Sequence, residues 1–335
     1  MSRVTTNCFL GMMVASSLAL LPSTVNADDA VDAREQGDIA FAKHNYDEAI
    51  AHYSEAIKCR SNWDRAYLNR ATAYYAKADY DNTIADCTTA IAYYPKDAPA
   101  FNLRGLSYAA KGDQAKALAE YSNAIEANLD FADAYNNRAG IYYARGEYDK
   151  AIADYSYALR DAPKSAVAYR GRSLAYWNKG SYDNVIADAT EAIRLNPQDG
   201  WAYNLRGLAH GAKNEFDKAI ADYTEALRID PKFNVVYVNR AYAFNGKNEF
   251  DKCIADATEA IRLDPKYAEA HNARGYALFK KNDLDKAIND FDEAIHLDPK
   301  HAWAYRNRGD VYSKKGDKAK ADADYAQARK LGLRF

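Results

Sequence analysis

The stretch ADAYNNRAGIYYARGEYDKAIADYSYALRDAPKS, residues 132–165, decides the fold of this chain, because its pattern recurs every 34 residues. Nine such frames follow one another without a gap and fill residues 30–335. A fixed period of this length is typical of repeat arrays, in which each unit buries its apolar face against its neighbours. We number the frames repeat one to repeat nine. They begin at Ala30, Asp64, Ala98, Ala132, Ala166, Gly200, Asn234, Ala268 and Ala302.

Each repeat carries two apolar stripes with helical spacing, so it is predicted to be a helical hairpin. In repeat four, Tyr135, Ala139 and Tyr142 form the first stripe, and residues 151–159 hold the second. A residue type that accepts a left-handed conformation lies between the stripes, and a proline closes most repeats. The residues between the stripes are Gly112, Gly146, Gly180, Gly316, Asn214, Asn248 and Asn282. The prolines are Pro95, Pro163, Pro197, Pro231, Pro265 and Pro299.

This pattern resembles the tetratricopeptide repeat family, in which aromatic residues flank a small residue in the first helix and alanines mark the second. The resemblance covers every residue from Ala30 onward. It implies an all-α fold, a right-handed α-solenoid of nine 34-residue helix-turn-helix repeats. It also implies a concave groove, lined by the first helices, that receives a partner.

Residues 1–29 do not fit the period and have a different composition. A single basic residue, Arg3, precedes an apolar run from Phe9 to Leu21, and small residues end at Ala27. This layout is typical of a cleavable secretory signal, so residues 28–335 are expected to form the mature repeat domain. An uncleaved anchor is the alternative, but the apolar run is short for a spanning helix. We therefore expect export, to a bacterial periplasm or the medium, with no integral membrane segment after cleavage.

Charge and motifs argue against several classes of function. The formal net charge of −2, without a basic run, gives no sign of nucleic-acid binding. The six histidines fall at unrelated places, without metal-site spacing, and no glycine-rich phosphate loop follows a strand. We therefore expect no enzyme activity, metal or cofactor. Cys59, Cys87 and Cys253 are expected to be free thiols.

An arginine recurs at the seventh place of repeats two to nine, and an acidic residue recurs in the second helix of the same repeats. An arginine among alanines would be costly without a partner, and a carboxylate matches its forked donors. We predict an ion pair inside each hairpin; the alternative is a charged ladder that binds a ligand. The central predicted pairs are Arg138 with Asp154, Arg172 with Asp188, and Arg206 with Asp222.

The second, fifth, ninth and twelfth places of each first helix form a further stripe, which in the resembled family lines the groove. Aromatic residues and arginine often dominate binding energy, and asparagine offers both a donor and an acceptor to a peptide backbone. Some of the aromatic residues could instead only cover the hairpin edge. The predicted groove-binding residues are Asn136, Tyr143, Arg170, Trp177, Trp201, Asn204, Tyr242, Tyr276, Phe279 and Trp303.

The sequence therefore predicts an exported scaffold, monomeric or weakly self-associating, that binds an extended segment of a partner protein and assembles complexes in the cell envelope. Aromatic residues and asparagines also suit sugar rings, so a carbohydrate-binding or polysaccharide-export accessory is the alternative. Some members of the resembled family hold the C-terminal carboxylate of heat-shock chaperones. Of the residues at the corresponding places only Asn69 matches, and Asp38 would repel a carboxylate, so this mode is not expected.

The signal hypothesis predicts that the mature protein begins at Asp28, because cleavage follows the small residue Ala27. The measurement is the intact mass of the exported protein. Full-length protein in the cytoplasm would contradict the prediction.

Overall fold

A computed structural model describes residues 27–335 of the chain. The predicted secretory signal, residues 1–27, lies outside the described residues except for Ala27, at which the first helix begins. Within residues 27–335, no helix combines the length and the apolar character that crossing a membrane requires.

Residues 27–335 form eighteen α-helices and no β-strand, two helices to each repeat. The first helices are α1 Ala27–Ala42, α3 Asp64–Ala76, α5 Ala98–Ala110, α7 Ala132–Ala144, α9 Ala166–Asn178, α11 Gly200–Ala212, α13 Asn234–Gly246, α15 Ala268–Lys280 and α17 Ala302–Lys314. The second helices are α2 Tyr46–Cys59, α4 Tyr80–Tyr93, α6 Gln114–Ala127, α8 Tyr148–Asp161, α10 Tyr182–Leu195, α12 Phe216–Ile229, α14 Phe250–Leu263, α16 Leu284–Leu297 and α18 Lys318–Lys330.

The predicted left-handed residues end the first helices, which confirms that part of the sequence pattern. Gly146 has a φ of 75° and Asn214 a φ of 60°. The N–H of the next residue then donates to a carbonyl oxygen of the last helical turn. In repeat four the Glu147 N–H donates to the Tyr142 carbonyl oxygen at 2.9 Å. Repeats one and two use His44 and Ala78, with φ of 61° and 59°. The sequence did not mark these two, because neither is a glycine or an asparagine.

Contacts divide the chain into two compact units, one ending at Ala117 and the other beginning at Leu118, inside α6. Each unit is an all-α solenoid, in which a second helix packs on its own first helix and on the first helix of the next repeat. In the second unit, for example, α10 contacts both α9 and α11.

Close approach between helices explains the small residue in the first stripe. At Gly207, an added Cβ would lie 2.7 Å from a ring carbon of Tyr223, a residue of the second helix in the same hairpin. Tyr223 is itself buried against α11. A larger residue at this place would therefore push the two helices apart.

Arg172 joins two neighbouring hairpins. Its Nε and Nη2 donate to Asp188 Oδ2 and Oδ1 in the same hairpin, at 2.7 and 2.8 Å. Its Nη1 donates to Ser156 Oγ in the preceding hairpin, at 2.9 Å. The hydrogen bonds with Asp188, which outweigh the effect of burial, raise the pKa of Arg172. The same arginine–aspartate contact forms at Arg70–Asp86, Arg138–Asp154, Arg206–Asp222, Arg240–Asp256, Arg274–Asp290 and Arg308–Asp324.

The hydroxyl in the preceding hairpin is a partner of the arginine that the sequence pattern did not predict. The Ser156 hydroxyl donates to the Ile152 carbonyl oxygen at 2.7 Å, so its lone pairs remain for Arg172. Serine or threonine recurs at this place, whereas repeat eight has Asp292 there and repeat nine has Ala326. The recurring hydroxyls are Ser54, Thr88, Ser122, Ser156, Thr190, Thr224 and Thr258.

We expect Arg172→Leu to lower the free energy of unfolding by about 3 kcal/mol, because it leaves the Asp188 carboxylate buried and unpaired. Adding Asp188→Leu should recover much of the loss, since an apolar pair removes the stranded charge. Ser156→Ala should cost about 1 kcal/mol, the value of one hydrogen bond. Denaturant titrations of the single and double variants measure these effects.

Arg194→Leu is the matched control, because Arg194 pairs with Glu191 on the surface and its side chain is 62% exposed. It should change stability by less than about 1 kcal/mol. Additive losses in the Arg172 and Asp188 variants would show that the pair is not coupled.

Candidate functional site

All ten predicted groove-binding residues lie in the second unit, but several of them already have partners. Arg170 Nη1 donates to Asp199 Oδ2 at 2.8 Å, and Asp199 is the buried residue that caps α11. Asn204 is buried and accepts a hydrogen bond from Asn239 Nδ2 at 2.9 Å. Tyr143 accepts one from Asn178 Nδ2 at 3.1 Å. These contacts hold neighbouring first helices together.

The two central tryptophans occupy different surroundings. Trp177 packs on a buried cluster that includes Val185 and Leu205, so it belongs partly to the core. Trp201 is 55% exposed and meets the edge of Phe233, with 4.5 Å between ring centroids. The structure therefore does not bring Trp177, Trp201 and Arg170 together as three open groups.

The first helices of repeats seven to nine enclose a cleft of about 300 Å³, which we call the C-terminal cleft. Three predicted residues line it, Tyr242, Tyr276 and Trp303, whereas Phe279 and Asn136 do not. The lining is Tyr242, Asn245, Glu269, Asn272, Tyr276, Trp303, Arg306 and Asn307. Five lining residues were not predicted to bind in the groove. Four of them, Asn245, Glu269, Asn272 and Arg306, nevertheless occupy the predicted groove stripe, and only Asn307 lies outside it. Including every residue of the stripe in the predicted groove would therefore have found these four.

A chain of hydrogen bonds crosses the floor of the C-terminal cleft. Asn307 Nδ2 donates to Asn272 Oδ1, and Asn272 Nδ2 donates to the Tyr242 hydroxyl, each at 3.0 Å. The Tyr242 hydroxyl donates in turn to Glu269 Oε1. This chain connects repeats nine, eight and seven, and it fixes which donors and acceptors remain free.

The Glu269 carboxylate is engaged on both oxygens. His301 Nε2 lies 2.6 Å from Glu269 Oε2, while His301 Nδ1 accepts from the Ala304 N–H at 3.3 Å. Burial alone would raise the pKa of Glu269, but His301 and Tyr242 outweigh it and hold that pKa below its ordinary value. Burial and the adjacent Glu269 carboxylate raise the pKa of Tyr242 well above its ordinary value. Near neutral pH the cleft therefore contains an ionised Glu269 and a protonated Tyr242.

Two polar groups of the C-terminal cleft are incompletely hydrogen-bonded. Both amide atoms of Asn245 are buried and make no hydrogen bond of ordinary geometry within the described residues, although the amide interacts weakly with the Cys253 thiol and lowers the pKa of that thiol against the larger effect of burial. Arg306 Nε is likewise buried without a hydrogen bond. The neighbouring Cys253 thiol donates to the Ala273 carbonyl oxygen at 3.6 Å. The Arg306 guanidinium lies 5.5 Å from the Trp303 ring centroid, and its Nη2 is 3.7 Å from Asp310 Oδ2. The cleft thus offers an amide and a cation to a ligand.

A second cleft of about 240 Å³, which we call the apolar cleft, lies on the other side of Tyr242. Gly211 opens it, because repeats four and five carry Tyr143 and Trp177 at the equivalent twelfth place. A Cβ at Gly211 would meet only the Tyr223 hydroxyl, at 3.8 Å. The lining is Trp177, Leu208, Gly211, Ala212, Phe216, Tyr223, Asn239, Tyr242 and Ala243.

Within residues 27–335, no three His, Cys, Asp or Glu side chains are grouped so as to hold a metal ion. In the same range the three cysteines are free thiols, and burial raises the pKa of Cys253 to about 12. A thiol with so high a pKa is a poor nucleophile near neutral pH.

Family models of the tetratricopeptide repeat match along nearly the whole repeat array. The model described as TPR repeat matches residues 37–77 and 275–316. Models described as tetratricopeptide repeat match residues 68–128, 102–166, 168–199, 200–233, 235–267, 257–289 and 304–331.

Solved structures show the same fold at low sequence identity. The Cut9–Hcn1 hetero-tetramer of the APC/C contains a chain with a TM-score of 0.58 and 17% identity, and the match covers 82% of this chain and 54% of that one. The C-terminal part of a TPR repeat-containing protein from Cytophaga hutchinsonii has a TM-score of 0.57 and 21% identity, over 71% and 97% of the two chains. A tetratricopeptide repeat protein from Parabacteroides merdae has a TM-score of 0.53 and 18% identity, over 78% and 98%.

One curated protein matches over a short segment. Hsp70-Hsp90 organizing protein 3 from Arabidopsis thaliana is 51% identical over 45 residues, which are 13% of this chain and 8% of that protein. The match therefore spans little more than one repeat and a small part of the relative's length.

We expect Tyr242→Phe to lower the free energy of unfolding by about 1–3 kcal/mol, because it removes the hydroxyl between Asn272 and Glu269 and leaves buried polar groups unpaired. Tyr276→Phe removes a hydroxyl from the same cleft outside this chain of hydrogen bonds, so it should cost less than about 0.5 kcal/mol. Denaturant titration of both variants checks the difference. Equal losses would contradict the assigned network.

Proposed function

The chain belongs to the tetratricopeptide repeat family, and we propose that it binds an extended segment of a partner protein on the first-helix face of its second unit. The observation that carries this proposal is the Asn245 side chain of the C-terminal cleft, whose two amide atoms are buried and have only a weak contact with the Cys253 thiol within the described residues. A buried unpaired polar group costs about 1–3 kcal/mol, so a ligand that supplies the missing hydrogen bonds gains that energy.

An extended peptide has the groups that Asn245 lacks. Each peptide unit carries one N–H donor and one carbonyl acceptor, and an asparagine amide can pair with both. The other asparagines of the cleft, Asn272 and Asn307, are hydrogen-bonded to each other. Asn245 is therefore the amide that a peptide backbone would engage.

The aromatic residues around the cleft support a peptide more than a carbohydrate. Trp303 is 52% exposed, as expected for a residue that becomes buried when a partner binds. A sugar would stack on an open ring face, but the Arg306 guanidinium already lies over the Trp303 ring. A peptide side chain can contact the edge of the Trp303 ring and the Arg306 guanidinium at the same time.

We further propose that the protein acts as a monomeric, non-catalytic scaffold in the cell envelope, exported to the periplasm or the medium. The layout of residues 1–27 supports export. The partner segment would then belong to another envelope or secreted protein, and binding would promote the assembly of a complex.

A random-peptide display selection on the purified protein tests the proposal. We expect selected peptides to bind at least ~10-fold more weakly to Trp303→Ala and to Asn245→Leu, because each removes a central contact of the cleft. Asn245→Leu is informative because it removes a buried amide that lies outside the chain of hydrogen bonds across the cleft, so the fold should suffer little. Calorimetric titration measures the affinities.

Glu259→Ala is the control, because Glu259 forms an exposed pair with Arg262 on the second helix α14. Its affinity for the selected peptides should equal that of the unmodified protein. Failure to select any peptide, or peptides that bind both cleft variants normally, would contradict the proposal. Selective binding to a glycan array without peptide binding would support the carbohydrate alternative instead.

A further inference from the structure

We infer that the partner segment has two chemically different anchors: an apolar side chain that fills the apolar cleft and, about nine residues along the segment, an acidic side chain that pairs with Arg306. This inference rests on the proposed peptide-binding function and specifies the ligand. It follows from three observations: the gap at Gly211, the incomplete pairing of Arg306, and the distance between them.

The apolar cleft has the size and the walls for one large apolar side chain. Its volume of about 240 Å³ lies below the ~300–1,000 Å³ of pockets for drug-sized ligands. Leu208, Phe216 and Ala243 supply apolar walls, and Trp177 closes one side. Burying a leucine, phenylalanine or methionine side chain here removes apolar surface of both partners from water, which drives association.

Gly211 makes this cleft possible. An aromatic side chain at the twelfth place, as in Trp177, would project into the space that the glycine leaves. The nearest atom to an added Cβ is the Tyr223 hydroxyl at 3.8 Å, which is an ordinary contact distance. The gap is therefore not needed for packing within the chain, and a ligand can fill it.

Arg306 supplies the second anchor point, because the nearby carboxylates leave it incompletely paired. Glu269 is engaged by Tyr242 and His301 on its two oxygens. Asp310 stands 3.7 Å from Arg306 Nη2, beyond direct hydrogen-bond distance, and accepts from the Tyr325 hydroxyl at 2.9 Å. A carboxylate from the ligand could bind the guanidinium with two parallel hydrogen bonds, the geometry that arginine favours.

The helix order sets the spacing of the two anchors. Gly211 lies on α11 and Arg306 on α17, with α13 and α15 between them, and each of these first helices contacts the next. Packed helices lie ~10 Å apart, so three steps cover ~30 Å. An extended peptide advances ~3.3 Å per residue and spans this distance in about nine residues. Tyr242 on α13 lines both clefts, so the path between them is continuous.

The test is Gly211→Tyr, which fills the apolar cleft from within. We expect a more than tenfold loss of affinity for peptides selected on the unmodified protein, with thermal unfolding unchanged or shifted upward, because tyrosine is a better helix former than glycine. Gly140→Tyr is the matched control. Gly140 is also a glycine at a groove-facing place of a first helix, but it lies on α7, outside the stretch from α11 to α17 that the segment would cross. An added Cβ there would meet nothing within 4 Å. Its affinity should stay within twofold of the unmodified protein.

The acidic anchor is tested by a double-mutant cycle, with one substitution in the peptide and one in the protein. Replacing the acidic residue of a selected peptide by its amide should lower its affinity for the unmodified protein at least fivefold. The same replacement should have little effect on binding to Arg306→Gln. Equal losses on both proteins would overturn the pairing with Arg306.

The outcomes separate this inference from the proposed function. If selection yields no peptide, both fail. If selected peptides depend on Asn245 and Trp303 but bind Gly211→Tyr normally, or share no apolar and acidic residues at this spacing, the function stands and the two-anchor inference is overturned.

Discussion

The guanidinium of Arg172 lies where three helices meet, and the regular stacking of the repeats depends on contacts of this kind. Two of its nitrogens bind the Asp188 carboxylate within one hairpin, and the third binds Ser156 of the hairpin before it. Half-buried charges of this type are favourable only when their geometry and hydrogen bonding are complete. The contact therefore fixes both the register of the two helices within a hairpin and the position of one hairpin on the next.

Because the hairpins are stacked in a constant register, the groove-facing places of each first helix recur at constant positions. Differences between repeats at those places then become differences in the surface. Gly211 replaces an aromatic residue and opens the apolar cleft, whereas Asn245 stands at the same place one repeat later and lines the C-terminal cleft. The packing is nearly the same in both repeats, but the chemistry offered to a ligand is not.

The sequence predicted the repeat boundaries, the helix ends at Gly146 and Asn214, and the aspartate partners of the arginines. These features depend on residues of one hairpin, so the period alone relates them. Features that depend on the next hairpin were harder to predict. Arg170 pairs with Asp199, 29 residues away, and Trp177 packs on Leu205 of the following repeat. Helical spacing shows which way a side chain points, but not which side chain of a neighbouring helix reaches it.

The arginine contact also affects how such a chain can change in evolution. Repeats one to seven provide a hydroxyl to the repeat after them, and repeats two to nine provide an arginine to the repeat before them, at the same two places. A duplication or crossover that exchanges whole repeats would rejoin an arginine with an equivalent hydroxyl at the new boundary. An insertion of any other length would separate them. Gene segments that encode one repeat can thus be gained or lost as complete modules, and the ligand specificity of the groove can be recombined without rebuilding the core.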